Sequence, residues 1–190
     1  MDTLLKTELE KACAVLRAGG VILYPTDTVW GIGCDATNEE AVRRIYEIKR
    51  RPDRKAMLIL LDDPGKIASY ARMPDIALDL IEVADKPLTI VYPGARGLAP
   101  SLIGEDNSIG IRITKEAFSQ NLVRMLRKPV VSTSANISGR PAPSNYDEID
   151  EAVRSEVDHI VECLRENKGK TAPSSIIKLE EDGSFKILRP

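Results

Sequence analysis

The spacing of apolar positions along the chain predicts helices that alternate with short buried strands. Residues 3–17 carry apolar side chains three and four positions apart, which is typical of an amphipathic helix, and Gly19 and Gly20 end it. Residues 21–24 form a continuous apolar run, which indicates a buried strand. Pro25 ends this strand, because proline cannot donate a hydrogen bond to a central ladder.

The same reasoning extends over the rest of the chain. A second helix is expected to be capped by Thr37 or Asn38 and to stop before Pro52. Further helices are predicted over residues 66–71, 75–84, 115–126 and 147–157, and further strands over residues 29–32, 56–61, 87–92, 108–114, 129–133, 174–179 and 184–188. Helices and strands intermingle without a repeat or a linker, so we expect one α/β or α+β domain over residues 1–190.

Composition and charge narrow the class of protein. With 43% hydrophobic residues and a formal net charge of -2, the chain is not a polycation built for nucleic acid. Cys13, Cys34 and Cys163 lie far apart and form neither a CxxC pair nor a zinc-binding spacing. The N-terminal residues do not resemble a signal peptide, and no apolar run is long enough to span a membrane. We therefore expect free thiols and a cytoplasmic location.

Several kinds of catalysis are excluded by the residues that the chain lacks. His159 is the single histidine, and we interpret it as structural, so that no Ser-His-Asp or Cys-His arrangement can be built. Neither a GxxxxGK[ST] phosphate loop nor a GxGxxG dinucleotide fingerprint is present. What remains is the binding of anionic groups by cations and hydroxyls.

Two hydroxyl-rich stretches directly follow predicted strands. Thr26, Asp27 and Thr28 come first, and the alternative to a binding role is a hairpin turn in which they satisfy their own backbone. Residues 132–139 supply four hydroxyls and one amide at the end of a buried strand, where α/β sheets often bind ligands. The alternative there is a turn that caps the next segment.

Two cationic features are also candidates. Residues 48–55 hold five basic side chains, which could neutralise a polyphosphate or could simply form a solvated helix end. Arg112 lies in the otherwise apolar run of residues 109–113, where a charge is costly unless it meets a partner or a bound anion. The alternative is an edge strand from which Arg112 faces water.

Five motifs, in this order, resemble the YrdC family, whose members are threonylcarbamoyl-AMP synthases. The resemblance covers nearly the whole chain, from about Gly19 to Arg189. The motifs are YPTDTVWGIG at residues 24–33, IKRRP at 48–52, SIGIR at 108–112, STSANISG at 132–139 and APSSII at 172–177.

The resemblance implies both a fold and a reaction. The fold is a twisted, mostly mixed sheet with flanking helices around a deep, positively charged cavity, in the short single-domain form of the family. The reaction converts L-threonine, bicarbonate or CO2 and ATP, with Mg²⁺, into L-threonylcarbamoyladenylate and pyrophosphate. A partner transferase then uses this product for the N6-threonylcarbamoyladenosine (t6A) modification of tRNA, and the resemblance leaves open a direct contact with RNA.

The resemblance also carries site residues onto this chain. The ATP-contacting positions are matched by Arg51, Lys55, Ser108, Ser134 and Arg189. Lys49, Arg51 and Asn136 are expected to act on the phosphates during catalysis. The positions that hold threonine are matched by Thr28, Arg112, Ser132 and Ser174, and none of these residues is expected to bind a metal ion directly.

A second hypothesis is a non-catalytic RNA-binding module that uses the same basic cavity. The near-neutral net charge and the small share of aromatic residues, 4%, favour the enzyme over this module.

Overall fold

A mixed sheet of short strands forms the centre of the protein in a computed structural model, which describes residues 3–51, 57–163, 165, 173–180 and 182–190. The strands are β1 (Ile22–Tyr24), β2 (Gly31–Gly33), β3 (Leu58–Leu61), β4 (Leu88–Pro93), β5 (Ser108–Ile113), β6 (Val130–Ser134), β7 (His159–Ile160), β8 (Ser175–Leu179) and β9 (Phe185–Arg189). Across the sheet they are ordered β7-β1-β2-β6-β3-β5-β4-β8-β9.

The middle of the sheet combines parallel and antiparallel pairs. The pairs β1–β7, β3–β5 and β4–β8 are parallel, and the other neighbours are antiparallel. Strand β6 joins the two halves, since it pairs with β2 on one side and with β3 on the other. This register places Ser132 opposite Leu58 and Ser134 opposite Gly31. The hydroxyl-rich end of β6 therefore lies inside the sheet rather than at its edge.

Helices pack on both faces of the sheet. They are α1 (Thr3–Arg17), α2 (Glu39–Ile48), α3 (Ile76–Glu82), α4 (Ala117–Leu126) and the short α5 (Glu151–Arg154). On one face, Leu60 of β3 packs in a cluster with residues of α1 and α4. On the other face, its neighbour Ile59 packs in a larger cluster with residues of α2. Because successive strand residues point to opposite faces, the two clusters are the two buried faces of one sheet.

The start of α2 shows how the sequence fixes a helix boundary. Asn38 has an extended backbone, and its side chain accepts a hydrogen bond from the Ala41 amide at 3.1 Å, as expected of an N-cap. Glu39 and Glu40 occupy the first turn, where negative charge is favoured by the helix dipole. The helix ends at Ile48, and Lys49 follows as its C-cap. The basic motif therefore begins at the C-terminal end of α2.

The predicted α/β fold class is confirmed, and α1 has the predicted bounds. Two predicted helices are wrong. The segment at 66–71 is a 3₁₀ helix over Pro64–Ser69, because Pro64 and the Asp63 cap start a tight turn earlier. The helix expected over 147–157 is replaced by a 3₁₀ turn at 146–148 and by α5 alone. The two-residue strand β7 is defined by its pairing with β1, which is a tertiary contact.

The structure also shows where the cysteines and the single histidine lie. Cys13, Cys34 and Cys163 are buried and form no disulfide. His159 lies in β7 with its Nε2 3.4 Å from the buried carboxylate of Glu8 on α1, which agrees with a structural role. Within the described ranges, no helix is long and apolar enough to cross a membrane.

We expect Gly33→Ala to destabilise the fold. An added Cβ would lie 2.5 Å from the Val131 carbonyl oxygen and 2.7 Å from Cε1 of Tyr24, which packs across this glycine. The free energy of unfolding, measured by urea denaturation, should fall by about 1–3 kcal/mol. Gly110→Ala is the matched control in a strand, because its nearest contact is the Leu58 Cβ at 3.3 Å and its effect should be smaller. An unchanged urea midpoint for Gly33→Ala would contradict this packing.

Candidate functional site

Strand alternation places several of the predicted residues on one face of the sheet. In β5, Ile109 and Ile111 belong to the larger core, so that Ser108, Gly110 and Arg112 point to the other face. In β6, Ser132 and Ser134 alternate with the core residue Val131 in the same way. Since Leu58 pairs with both Ser132 and Gly110, these two strands present their polar positions side by side.

Lys49 is the most deeply buried of the predicted phosphate-binding cations. Its side chain leaves the end of α2, and its Nζ donates hydrogen bonds to the carbonyl oxygens of Ser134 and, at 2.7 Å, of Asn136. Burial, followed by the nearby charge of Arg51, lowers the pKa of Lys49 to about 7. The ammonium is thus held against the loop after β6, and a bound anion there would favour its protonated form.

Arg51 and Asn136 extend this cluster around the end of β6. Arg51 donates to the Thr133 hydroxyl at 3.4 Å, and burial lowers the pKa of its guanidinium. The Asn136 amide donates to the carbonyl oxygens of Ile137 and Arg140 at 3.1 and 2.7 Å. The amide therefore shapes its own loop, as the turn alternative stated. Its Oδ1 is nevertheless buried without a hydrogen-bond donor among the described residues.

Arg112 is an interior residue, so the edge-strand alternative is wrong. Strand β5 lies between β3 and β4, and Arg112 is only 3% exposed. Its guanidinium lies 2.9 Å from the Asp27 carboxylate, so this charge has an internal partner, which is one of the two possibilities that the sequence left open. The Nε of Arg112 is buried without an acceptor in the described part of the chain. The ion pair thus leaves part of the guanidinium's donor capacity unused.

Ser174 and Arg189 lie beside Arg112. Arg189 donates from Nε to the Ser174 carbonyl at 2.8 Å, and the hydroxyls of Ser174 and Thr89 lie 2.8 Å apart. Burial, and then the charge of Arg112, lowers the pKa of Arg189. Two guanidinium groups are therefore close enough to repel each other, and Asp27 is the one carboxylate that forms a described ion pair with either of them. This region of the structure carries a surplus of positive charge.

In the first hydroxyl-rich stretch, Thr26 forms a turn with its own backbone, whereas Asp27 contacts a distant residue. The Thr26 hydroxyl accepts from the Thr28 amide at 3.1 Å and donates to the Val29 carbonyl at 2.7 Å, which is the predicted backbone turn. Asp27 instead reaches Arg112. Thr28 is 4% exposed, and its hydroxyl lies 3.1 Å from that of Thr26.

One predicted ATP-contacting residue, Ser108, is held by a separate set of contacts. The Ser108 hydroxyl donates to Asp106 at 2.6 Å, and Asp106 in turn accepts from Lys178 at 2.9 Å, so Ser108 has an internal partner. Lys55 lies outside the described residues. The two clusters that the structure does assemble are Lys49, Arg51, Ser134 and Asn136 at the end of β6, and Asp27, Arg112, Ser174 and Arg189 across β5, β8 and β9.

Sequence reasoning named Asp27 only within the first hydroxyl-rich stretch, and it did not assign Thr89 to the site. Asp27 was part of a recognised motif, but its pairing with Arg112 joins residues 85 positions apart in the sequence. Thr89 is a buried polar residue in a strand that is otherwise predicted to be apolar. Its polar side chain within that apolar run was the sequence signal that could have identified it. Both residues fix the guanidinium and hydroxyl groups around them.

One large cavity is not lined by any of the predicted site residues that the structure describes. It has a volume of about 500 Å³, and its walls are mainly apolar side chains of β4 and β5 and of the loop after β1. The deep basic cavity that the resemblance implies therefore stays a prediction. Among the described residues, no group of three or more histidine, cysteine or acidic side chains is arranged to hold a metal ion.

Comparison with known proteins identifies the family. The Sua5/YciO/YrdC family model, described as "Telomere recombination", matches residues 14–190. The chain belongs to the Sua5/YciO/YrdC family. A protein of Methanocaldococcus jannaschii is 39% identical over 170 residues, which are 89% of this chain and 79% of that protein. The threonylcarbamoyl-AMP synthase of Stenotrophomonas maltophilia is 35% identical over 173 residues, covering 88% of this chain and 91% of that protein.

Solved structures of the Sua5/YciO/YrdC family have the same fold. P. abyssi Sua5 in complex with L-threonine matches with a TM-score of 0.83 and 27% identity, over 96% of this chain and 53% of that chain. This chain thus spans about half the length of that Sua5 protein. E. coli YciO matches with a TM-score of 0.81 and 26% identity, over 95% of this chain and 87% of that chain.

We expect Lys49 to make stability depend on pH. Its pKa falls from 10.5 in the unfolded chain to about 7 in the fold, so between these values the unfolded state holds one more proton. This contribution makes the fold more stable as pH rises through the window, and the gain is lost as pH falls toward 7. Lys49→Met should flatten the rise in the free energy of unfolding by up to about 1.4 kcal/mol per pH unit.

The measurement is urea denaturation of both proteins between pH 7.5 and 9.5. Lys186→Met, a change of an exposed lysine on β9, is the control and should keep the wild-type slope. Equal slopes for Lys49→Met and wild type would show that Lys49 is fully protonated in the fold.

Proposed function

We propose that this chain is an L-threonylcarbamoyladenylate synthase. The reaction joins L-threonine, bicarbonate or CO2 and ATP, and releases pyrophosphate. Curated relatives over most of their length carry this activity in their names, which agrees with the function and enzyme class predicted from the sequence. They give no support to the alternative of an RNA-binding module.

The observation that carries the proposal is the surplus of buried positive charge around Arg112 and Arg189. Two guanidinium groups share this region, and Asp27 is the carboxylate that the described structure pairs with Arg112. A second carboxylate would meet the unused donor of Arg112 and would relieve the repulsion from Arg189. The α-carboxylate of threonine is such a group, and the hydroxyls of Ser132 and Ser174 lie on the same side of the sheet.

The reaction itself needs no nucleophile from the protein. Bicarbonate and the amine of threonine give a carbamate with loss of water, and the carbamate oxygen then attacks the α-phosphorus of ATP. The bond from the α-phosphorus to the bridging oxygen breaks, and pyrophosphate leaves with the electron pair. The protein must therefore hold the carbamate in line and stabilise the leaving phosphates. The absence of a catalytic histidine agrees with this requirement.

The cluster at the end of β6 is suited to the phosphates. Lys49 and Arg51 supply cations, and Ser134 supplies a hydroxyl, while Ser108 and Lys55 are further expected contacts. Mg²⁺ bound to ATP would supply further positive charge on the phosphates, beside Lys49 and Arg51.

The proposal also covers the domain organisation of the protein, its location in the cell and its partner. We take residues 1–190 as one domain, place the protein in the cytoplasm and expect a transferase to accept the adenylate for t6A synthesis on tRNA. A mixed anhydride of this kind is activated for attack by an amine, so the consuming reaction must be an acyl transfer to a nucleophile.

The deciding experiment is pyrophosphate release by the purified protein with ATP, threonine and bicarbonate. Release that requires all three substrates is expected of the synthase. An RNA-binding module would release no pyrophosphate, whatever RNA is added. Replacing threonine by alanine or serine tests whether the site recognises the hydroxyl and methyl groups of the threonine side chain.

We expect Arg51→Ala and Lys55→Ala to weaken ATP binding more than threonine binding. Each change removes a cation from the phosphates, and the loss of one charge-assisted contact costs about 1.5–3 kcal/mol. Isothermal titration with ATP and with threonine measures the two effects separately. Arg43→Ala on the exposed face of α2 is the control. Wild-type ATP affinity in both variants would mean that the basic motif is a solvated helix end.

We expect Arg112→Lys to raise the threonine concentration needed for half-maximal pyrophosphate release by about tenfold or more. A guanidinium can bind Asp27 and a second carboxylate through parallel hydrogen bonds, which an ammonium cannot copy. The ATP requirement should change little, and Arg112→Met should abolish threonine-dependent release. A wild-type threonine titration for Arg112→Lys would show that Arg112 serves only as the partner of Asp27.

A further inference from the structure

The cavity of about 500 Å³ lies on the face of β5 opposite to Arg112. Its walls include Ile90, Ile111 and Ile113, which alternate along the strands with the residues of the proposed substrate site. Trp30 and Ile81 close its other sides. The volume is far above that of a packing defect and is in the range of pockets that bind small organic molecules.

The walls and the rim of this cavity differ in chemistry. The walls are aliphatic and aromatic, whereas Lys86 and Lys115 lie exposed at the rim. Neither lysine forms an ion pair with another residue in the described ranges. An occupant would thus bury an apolar body against the sheet and keep a charged group within reach of two ammonium groups.

Two of the three acidic side chains that line the cavity already have partners. Asp27 pairs with Arg112 at 2.9 Å. Glu116 caps α4, where it accepts from the amides of Phe118 and Ser119 at 2.9 and 2.7 Å. Asp85 is the third lining carboxylate, and Lys86 and Lys115 are the lining cations. Two lysines thus stand against one carboxylate without a described partner, which favours an anion at the rim.

We propose that this cavity is a second ligand site, which binds a small amphipathic organic anion with an aromatic or branched apolar body and one carboxylate, sulfonate or phosphate group. Among the described residues, none of those predicted to contact ATP or threonine lines it. Asp27 lines the cavity and also pairs with Arg112, but the inference does not depend on the proposed function.

The test uses two probes that differ only in charge. The first is 8-anilinonaphthalene-1-sulfonate (ANS), and the second is N-phenyl-1-naphthylamine, which has the same aromatic body without the sulfonate. Fluorescence titration of the intact chain should give one saturable ANS site per molecule and weaker binding of the neutral probe. Equal affinity for the two probes would overturn the preference for an anion.

Variants of the lining decide where the probe binds. Ala84→Trp places an indole inside the cavity and should weaken ANS binding by about tenfold or more. Lys86→Gln combined with Lys115→Gln should weaken ANS binding by about two- to tenfold and leave the neutral probe unchanged. Both proteins should keep wild-type pyrophosphate release. If Ala84→Trp does not fold, the double lysine variant and the two probes still decide the proposal.

Two controls separate the cavity from other surfaces. Ile187 is 61% exposed on β9, so Ile187→Ser tests whether ANS binds that apolar edge instead. Lys186→Gln removes a lysine far from the rim in sequence. Both variants should bind ANS as the wild type does. Loss of binding in Ile187→Ser, or complete displacement of ANS by ATP with threonine, would overturn the proposal.

Discussion

The buried charge of Arg112 is the constraint on which the arrangement of the site depends. A guanidinium in the middle of a sheet is tolerated only with a partner, and Asp27 supplies it across 2.9 Å. This contact draws the loop after β1 toward β5. Arg189, whose guanidinium is held against Ser174, then adds a second charge that Asp27 cannot neutralise alone. The fold thus places two guanidinium groups near one carboxylate that forms a described ion pair.

A second buried cation lies at the end of β6, but its partners are of a different kind. Lys49 is surrounded by carbonyl oxygens rather than by a carboxylate, and burial lowers its pKa to about 7. A bound polyanion would favour the protonated form of such a cation. The two clusters therefore differ in chemistry: Arg112 lies beside a carboxylate, whereas Lys49 lies among carbonyl oxygens at the end of β6.

The opposite face of the sheet follows from the same strand alternation. Each strand that points a polar residue toward the proposed substrate site points an apolar residue the other way, and Ile90, Ile111 and Ile113 line the large cavity there. Asp27 stands at the boundary, since it lines this cavity and also pairs with Arg112. A ligand with an apolar body would cover the apolar walls of this cavity.

The sequence by itself determined the fold class, the helices with a regular apolar spacing and the motifs that identify the family. These features are local, since each depends on residues within a few positions of one another. Tertiary structure alone decided that Arg112 is interior and paired with Asp27, that Thr89 meets Ser174, and that the Asn136 amide holds its own loop. The contacts of Arg112 and Thr89 join segments that are distant in sequence, and the register of the strands depends on the packing of both faces of the sheet at once. The Asn136 bonds are local, but the sequence left both a turn and a binding role open for this loop.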